Sequence, residues 1–271
     1  MEQTLTPLHI GTEPLPEQLS NPSDENFEAI LNRERGKLKG YDCPICLNRG
    51  FIWHVEDGEK WTEKCKCMKT RVNLARLEKS GLTEAARHCT FDSFEANTEW
   101  QRRMKEAVVS FVRDRERGWL FVSGQSGCGK THLCTAAVMK FILSGGVTAR
   151  YVCWIEAKQQ LQAALYDQEA YDAILLPLKR CRVLYLDDLF KTERNEPPKE
   201  WEYRLAMELI NARYNDPSLI TIISTEHTMQ ELLAMDEALA GRIAERAAKY
   251  IVQVARQPDR NYRLRYIGGA I

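Results

Sequence analysis

The eight residues GQSGCGKT, Gly124–Thr131, decide the fold of this chain. They lie between an apolar run, WLFVS at 119–123, and a segment with helical patterning, HLCTAAVMKFIL at 132–143. This arrangement matches the G-x-x-x-x-G-K-[ST] pattern of a phosphate-binding loop, in which backbone amides surround phosphate oxygens at the start of a helix. We predict that Lys130 reaches the β and γ phosphates of a nucleotide and that Thr131 is a Mg²⁺ ligand. The residues expected to line this nucleotide site are Gly124, Gln125, Ser126, Gly127, Cys128, Gly129, Lys130, Thr131 and His132.

A second apolar segment, CRVLYLDDLF at 181–190, contains two adjacent carboxylates. A phosphate-loop enzyme needs an acid at the end of a neighbouring strand, because the metal that bridges the phosphates must be held there. We predict that Asp187 holds Mg²⁺, directly or through water, and that Asp188 is the catalytic acid that orients or deprotonates the attacking water. The Asn-Lys-x-Asp motif that reads guanine does not occur in the sequence, so ATP is the expected nucleotide.

The next buried strand, in LITIISTEH at 219–227, ends in polar residues. In one branch of the phosphate-loop ATPases a strand at this place in the chain contacts the γ-phosphate through its end, usually through an Asn. We expect Ser224 or Glu226 to take that role here, and the alternative is an ordinary strand end. LSGG at 143–146 matches the signature of ABC transporters, but it ends the helix that the phosphate loop begins, where that signature does not fall.

Two arginines, Arg242 and Arg246, are four residues apart and share one face of a predicted helix. They would either pair with Glu237 and Glu245 on a solvated face, or one of them would act as an arginine finger. We predict that Arg242 is catalytic and stabilises charge on the phosphoryl group held by a neighbouring subunit. This hypothesis requires self-assembly through the ATP sites.

Four of the nine cysteines are clustered as Cys43-x-x-Cys46 and Cys65-x-Cys67. In a reducing compartment such a cluster indicates a metal rather than disulfides, and four thiolates suit tetrahedral Zn²⁺. We predict a structural zinc site, with the residues between the two pairs forming a loop and with His54 as an alternative ligand. Four sulfur ligands leave no open position for catalysis.

Composition sets limits on partners and location. The 38 basic and 38 acidic residues cancel, so a nucleic-acid surface would have to be a local patch. No apolar run approaches the ~20 residues that span a bilayer. The N-terminal 20 residues also lack the layout of a signal peptide. We therefore predict a cytoplasmic protein with no membrane partner.

The pattern of the chain predicts three parts: a flexible tail at 1–25, a zinc-binding domain at 26–85 and an α/β domain at 90–271. In the second part we expect a helix that starts at Ser23 or Asp24 and another from Met68 to Lys79 that ends at Gly81. The third part alternates helix and strand, which is typical of a parallel sheet flanked by helices, with a helix C-cap at Ser144–Gly146. The strands are expected at 119–122, 147–154, 183–186, 219–225 and 250–255, with a last one at 262–267.

Together, the cysteine module and the later motifs resemble the DnaC/DnaI-type replicative helicase loaders, especially their phage and prophage members. The motifs that carry this resemblance are TFDSFEA at 90–96, GQSGCGKTHL at 124–133, VLYLDDLFK at 183–191, TIISTE at 221–226, DEALAGRIAER at 236–246 and NYRLR at 261–265. The similarity extends from about Tyr41 onward and implies an AAA+ ATPase domain of the P-loop NTPase class. It also implies that the N-terminal region binds a hexameric replicative helicase, which the protein places on single-stranded DNA during replication initiation. Asp188 stands where wider AAA+ proteins have Glu, which implies slow hydrolysis.

The resemblance also implies further contacts. It places Phe91 and Phe94 near the adenine, although both could equally be core aromatics. The residues predicted to contact DNA are basic or aromatic and lie just before VLYLDDLFK and around NYRLR. The alternative is that they form a solvated basic surface. These candidates are Lys179, Arg180, Arg182, Arg256, Arg260, Tyr262, Arg263 and Arg265.

Two other functions stay open at this point. An IstB-type transposition ATPase would resemble the chain only from about Phe91, and the cysteine module therefore favours a loader. A nucleotide-gated DNA-binding adaptor with little hydrolysis is compatible with Asp188.

Overall fold

A computed structural model describes residues 24–79, 88–114, 118–143, 147–192 and 196–264. The chain divides into two compact units, Met1–Cys65 and Lys66–Ile271. Residues 1–23 of the predicted tail at 1–25, the helix end at Gly81 and the C-cap at Ser144–Gly146 lie outside the described residues. Residues 24 and 25 of that tail begin a helix instead.

The first unit contains a short helix and a hairpin. Helix α1, Asp24–Leu31, packs against strand β1, Phe51–Glu56, which pairs antiparallel with β2, Glu59–Lys64. Side chains of the α1 region bond the backbone of β1: Asn32 bonds both the amide and the carbonyl of Trp53, and Glu28 accepts from the Val55 amide. These bonds satisfy polar groups along the outer edge of the hairpin.

The hairpin corrects the prediction of a loop between the cysteine pairs. Its turn is Asp57-Gly58, with φ of 52° and 79° at the two positions. An Asp-Gly pair with positive φ at both residues is the preferred two-residue connection between antiparallel strands. The signal was therefore present in the sequence as EDGE, although the strand EKWTEK is fully exposed and has no apolar alternation to mark it.

The second unit contains a five-stranded parallel sheet and most of the helices. The strands are β3 (Trp119–Gly124), β4 (Ala149–Cys153), β5 (Val183–Asp187), β6 (Ile220–Thr225) and β7 (Ile251–Val254). The helices are α2 (Cys67–Lys79), α3 (Glu99–Asp114), α4 (Lys130–Leu143), α5 (Trp154–Ala163), α6 (Gln168–Arg180), α7 (Glu200–Tyr214), α8 (Met229–Met235) and α9 (Glu237–Ala247).

The strand order is β4-β5-β6-β3-β7, and every neighbouring pair is parallel. Strand β6 therefore lies between the strand that enters the phosphate loop and the strand that ends at Asp187. Helices cover both faces of the sheet. On one face, alternate strand residues such as Phe121, Leu184 and Ile223 pack into the core formed with α5 to α9. Helix α4 contacts β3, β5 and β6. Parallel strands bring their carboxyl ends to one edge, where the polar residues meet.

Helix α2 belongs to the second unit, so the division falls after Cys65 and not near residue 85. It packs on α4 and β4 and buries Leu74 and Leu77. The Thr70 hydroxyl donates to the carbonyl of Ile142 at 3.4 Å, and the Asn73 amide donates to the carbonyl of Val147.

The five strands predicted from apolar runs, at 119–122, 147–154, 183–186, 219–225 and 250–255, are present, and their ends differ by one or two residues. The last predicted strand is wrong at residues 262–264, which form a 3₁₀ turn, Tyr262–Leu264. Residues 265–267 lie outside the described part of the chain. The backbone of this turn is hydrogen-bonded to the phosphate loop, and a local sequence pattern does not predict such a long-range contact.

Candidate nucleotide-binding site and cysteine cluster

The phosphate loop joins β3 to α4 and wraps tightly. Gly127 and Gly129 have φ of 77° and 94°, a region in which residues with a side chain are strained. A Cβ on Gly129 would lie 2.6 Å from the ring of Phe94, so this position also requires glycine for space. The buried Lys130 ammonium donates to the carbonyls of Gly124 and Gln125, at 2.7 and 3.0 Å.

A cavity of about 280 Å³ opens beside this loop. Its walls come from four parts of the second unit: the segment before α3, the phosphate loop, the ends of β5 and β6, and the C-terminal turn. The lining residues are Ser93, Phe94, Glu95, Ser126, Gly127, Gly129, Lys130, Thr131, His132, Asp188, Lys191, Glu226, Tyr262 and Arg263.

Several predicted residues lie behind this lining. Gly124, Gln125 and Cys128 form the part of the loop that faces away from the cavity, and the Gln125 side chain accepts from the Gln257 amide at 2.7 Å. Burial raises the pKa of the Cys128 thiol, although Lys130 lowers it, so the side chain behaves as a small apolar group.

Asp187 lies at the end of β5, directly below the loop. Both of its carboxylate oxygens are 3.4 Å from the Thr131 hydroxyl, so the two residues predicted to hold Mg²⁺ are brought together. Three further hydroxyls surround the carboxylate: Tyr185 donates at 2.6 Å, Tyr151 donates at 3.1 Å and Ser224 also donates. These donors fix the orientation of the buried carboxylate.

The two tyrosines were missed by the sequence analysis. Tyr185 precedes Asp187 by two positions and therefore points to the same face of β5, and Tyr151 of β4 is in register with Tyr185. Burial is the first cause that raises the pKa of both phenols, and the nearby charge of Asp187 raises it further. Both hydroxyls therefore stay protonated and act as donors. The two-residue spacing in YLD was the available signal.

Asp188 follows β5 with a φ of 55°, which turns its side chain into the cavity. Its carboxylate forms an ion pair with Lys191 at 2.7 Å, and Lys191 also lies 3.3 Å from Glu226 at the end of β6. Ser224 does not line the cavity. It is fully buried, and its hydroxyl bonds Asp187 and accepts from the Asp188 amide at 3.1 Å. Ser224 therefore supports the acidic pair, while Glu226 faces the cavity.

The other side of the cavity is formed by Phe94 and the C-terminal turn. The Phe94 ring packs edge-on against His132, at 5.4 Å between centroids, whereas Phe91 is outside the lining. The Tyr262 amide donates to the Gly127 carbonyl at 3.0 Å, and its hydroxyl donates to Glu95 at 2.6 Å. The turn thus connects the phosphate loop to the segment before α3.

Two of the residues predicted to contact DNA, Tyr262 and Arg263, line this cavity. Arg256 donates to the Glu226 carbonyl at 3.2 Å, and Arg260 lies over the Trp100 ring at 5.6 Å. Lys179 forms an ion pair with Glu208 at 2.5 Å. Arg265 lies outside the described residues.

Arg242 does not line the cavity of its own chain. It lies on α9, donates to the Ala238 carbonyl at 2.7 Å and is 5.8 Å from the centre of the Tyr214 ring. Arg246 stacks near Trp119, at the opposite end of β3 from the phosphate loop. Any action of Arg242 on a phosphate would therefore involve another subunit.

The four clustered cysteines meet as the sequence predicts. Their Sγ atoms lie within 4.8 Å of one another, and all four residues are buried. The Sγ atoms of Cys43 and Cys65 are 3.8 Å apart, which is about the edge of a tetrahedron with Zn–S bonds of ~2.3 Å. The Gly50 amide donates to the Cys46 sulfur at 3.3 Å. The donor set and its spacing fit a tetrahedral metal.

His54 is not part of this cluster. Its ring stacks on Trp61 at 4.3 Å, and its nitrogens face Glu28 and Glu63 at 3.7 and 3.4 Å. The alternative zinc ligand is therefore wrong, because His54 lies on β1 and its ring is held by residues of the hairpin and of α1.

Taken together, the strand order, the phosphate loop and the acids at the ends of β5 and β6 define an AAA+ P-loop NTPase. The model of the IstB-like ATP binding protein family matches residues 49–266, and the chain belongs to that family. This match begins before Phe91, so the prediction that the IstB resemblance starts only there is wrong.

Individual relatives agree with this assignment. The chain is 30% identical over 262 residues to the phage-like element PBSX protein XkdC of Bacillus subtilis (strain 168), covering 93% of this chain and 92% of that protein. The crystal structure of the DnaC helicase loader is similar in fold, with 21% identity, a TM-score of 0.50, and coverage of 65% of this chain and 100% of that one. AMPPCP-bound DnaA from Aquifex aeolicus is similar with the same identity and TM-score, over 66% of this chain and 53% of that one.

These findings confirm the resemblance to phage-type AAA+ proteins and establish an ATP-binding protein. None of the helices in the described parts of the chain has both the length and the apolar character that crossing a bilayer requires.

Proposed function

We propose that this protein is an ATP-hydrolysing loader that binds a hexameric replicative DNA helicase and places it on single-stranded DNA in the cytoplasm. The observation that carries the proposal is one chain with two features: a complete phosphate-loop site, and a preceding unit that holds most of a buried four-cysteine cluster. The similarity to a phage-element protein spans both features. The fold shared with the DnaC helicase loader supports the same function.

In this proposal the cavity holds the triphosphate of ATP. The loop amides and Lys130 bind the β and γ phosphates, and Lys130 exchanges its bonds to Gly124 and Gln125 for phosphate oxygens. Thr131 and Asp187 would hold Mg²⁺, which neutralises charge on the phosphates when it is bound. Phe94 and Tyr262 contribute apolar surface on the opposite side, where the base is expected.

Hydrolysis is assigned to Asp188. Its carboxylate faces the cavity and can accept a proton from water or orient it toward the terminal phosphate. In the structure this carboxylate is paired with Lys191 at 2.7 Å. The shorter Asp at this position favours slow hydrolysis, and a slow ATPase suits a protein that holds a partner until ATP is consumed.

The cysteine cluster is assigned to structural zinc. Cys43, Cys46, Cys65 and Cys67 would hold the ion and order a segment that has few buried apolar residues. Residues 24–65 then form the helicase-binding part, in which Ile45 and Trp61 are exposed. Single-stranded DNA is the expected partner of the assembled ATPase domains.

Co-elution of the full-length chain with the replicative helicase hexamer of its host tests this proposal. We expect a complex in ATP for the wild type and for Cys153→Ser, and loss of the complex for Cys43→Ser. Asp188→Asn should bind ATP and the helicase but release no phosphate. Failure of the wild-type chain to co-elute with the helicase would contradict the loader function.

The family match favours a second candidate, an IstB-type transposition ATPase. Cys43 and Cys46 precede the matched residues 49–266, so half of the cluster lies outside the family pattern. Co-elution with a transposase in place of a helicase would identify this function. The adaptor function is favoured by the Asp188–Lys191 ion pair, and it predicts DNA binding in ATP without measurable phosphate release.

A further inference from the structure

Lys191 places a second lysine in the candidate nucleotide cavity. It follows β5 and reaches two acids that come from neighbouring strand ends, Asp188 at 2.7 Å and Glu226 at 3.3 Å. All three residues line the cavity together with Lys130. Among the lining residues that the structure describes, the lysines are therefore Lys130 on the loop side and Lys191 on the acidic side.

The charges of Asp188, Glu226 and Lys191 determine whether this side of the cavity can accept a triphosphate. A γ-phosphate carries up to two negative charges, and Asp188 and Glu226 would both repel it if they stood alone. Lys191 bridges the two acids and cancels one of their two negative charges. Glu226 lies at the end of β6, where related ATPases usually have a neutral Asn. The cation beside it, Lys191, makes this side of the cavity more compatible with a triphosphate.

The Lys191 side chain is held by charge contacts at the edge of the cavity. One third of it is exposed, and its ammonium is paired with Asp188 and Glu226. Burial alone would lower the pKa of Lys191, but the bonds to Asp188 and Glu226 outweigh burial and raise it, so the group stays charged. A phosphate oxygen accepts a charge-assisted hydrogen bond from an ammonium group as a carboxylate does, so it can take the place of these partners.

We propose that Lys191 is a nucleotide-sensing residue that moves from Asp188 and Glu226 to the terminal phosphate of ATP. ADP lacks that phosphate and leaves the two ion pairs in place. The move frees the Asp188 carboxylate for the attacking water only when ATP is bound. This inference rests on the proposed function, because it requires the triphosphate to occupy this cavity.

The test compares binding of AMPPCP, a non-hydrolysable ATP analogue, with binding of ADP. Lys191→Met keeps the length of the side chain and removes its charge, whereas Lys191→Arg keeps the charge. We expect Lys191→Met to weaken AMPPCP binding roughly tenfold or more and to change ADP binding by less than about twofold. Lys191→Arg should retain most of the preference for AMPPCP. Lys179→Met is the matched control, because Lys179 is also ion-paired but lies away from the cavity.

Unchanged ADP binding also shows that Lys191→Met is folded. If Lys191→Met weakens both ligands equally, or neither, the sensing role is overturned. Lys130→Ala separates this failure from failure of the site itself: if Lys130→Ala keeps full AMPPCP affinity, the triphosphate does not bind in this cavity and the proposed mechanism fails with the inference. If Lys130→Ala loses that affinity and Lys191→Met does not, only the inference fails.

Discussion

Tyr185 donates a hydrogen bond of 2.6 Å to Asp187, two residues further along the same buried strand. Tyr185 is fully buried and Asp187 is nearly so, which means that the carboxylate at the centre of the site is solvated by protein hydroxyls. Tyr151 and Ser224 complete this shell from the two neighbouring strands. The position of the Asp187 carboxylate is therefore determined mainly by residues of the sheet.

Tyr185→Phe should lower the free energy of unfolding by about 1.5–3 kcal/mol, because a buried charged acceptor loses a donor. Denaturant unfolding of the purified variant measures the change. Tyr171→Phe is the control, since Tyr171 donates to Glu208 at 2.9 Å on the surface and should cost less than about 1 kcal/mol. Equal losses in the two variants would show that the hydroxyl of Tyr185 has no special role.

Gly127→Ala should weaken ATP binding by roughly tenfold, because the loop and the C-terminal turn would have to separate. A Cβ at this position would lie 2.0 Å from the Asn261 side-chain oxygen, and φ is 77°. Gly58→Ala carries the same backbone strain at φ 79° but meets nothing within 4 Å, and it should leave ATP affinity unchanged. Isothermal titration with ATP compares the variants.

A second substitution identifies the cause of that loss. Asn261→Ala removes the atoms that the new methyl group would meet, so Gly127→Ala/Asn261→Ala should recover part of the affinity. If the double variant binds ATP no better than Gly127→Ala, the contact between the turn and the loop does not control the site.

The sequence was sufficient for the parts of the fold that short patterns record. The GQSGCGKT loop, the five apolar strands and the cysteine spacing each depend on residues that are close in the chain. The contacts that complete the cavity join residues far apart, such as Glu95 with Tyr262, or involve one flexible side chain, such as Lys191. The composition of NYRLR suggests a contact with DNA, whereas the hydrogen bond from the Tyr262 amide to Gly127 is visible only in the tertiary structure.

The wild-type protein should contain about one zinc per chain, because four buried thiolates at this spacing match a tetrahedral site. Cys43→Ser and Cys65→Ser should lose most of the metal. Elemental analysis of the purified proteins measures it, with Cys153→Ser as a control outside the cluster. Equal zinc in all four proteins, or none in the wild type, would contradict a structural zinc site at these cysteines.

Arg242→Ala should bind ATP normally and hydrolyse it more slowly, since Arg242 lies outside the cavity of its own chain. Mixing Arg242→Ala with Lys130→Ala subunits tests action between subunits, because each variant supplies the group that the other lacks. Phosphate release should be regained in the mixture. A mixture as inactive as its components, under conditions in which wild-type subunits assemble, would leave Arg242 as a surface residue.

A helicase-loading assay is the most direct test that this protein is an ATP-dependent helicase loader. The measurement is unwinding, by the replicative helicase of the host, of duplex DNA whose single-stranded tail is coated with its binding protein, in ATP and with and without this protein. We expect the wild-type chain to stimulate unwinding in ATP and Lys130→Ala not to, because the variant cannot hold the triphosphate. Unwinding that is the same with wild type, with Lys130→Ala and with no added protein would contradict the account.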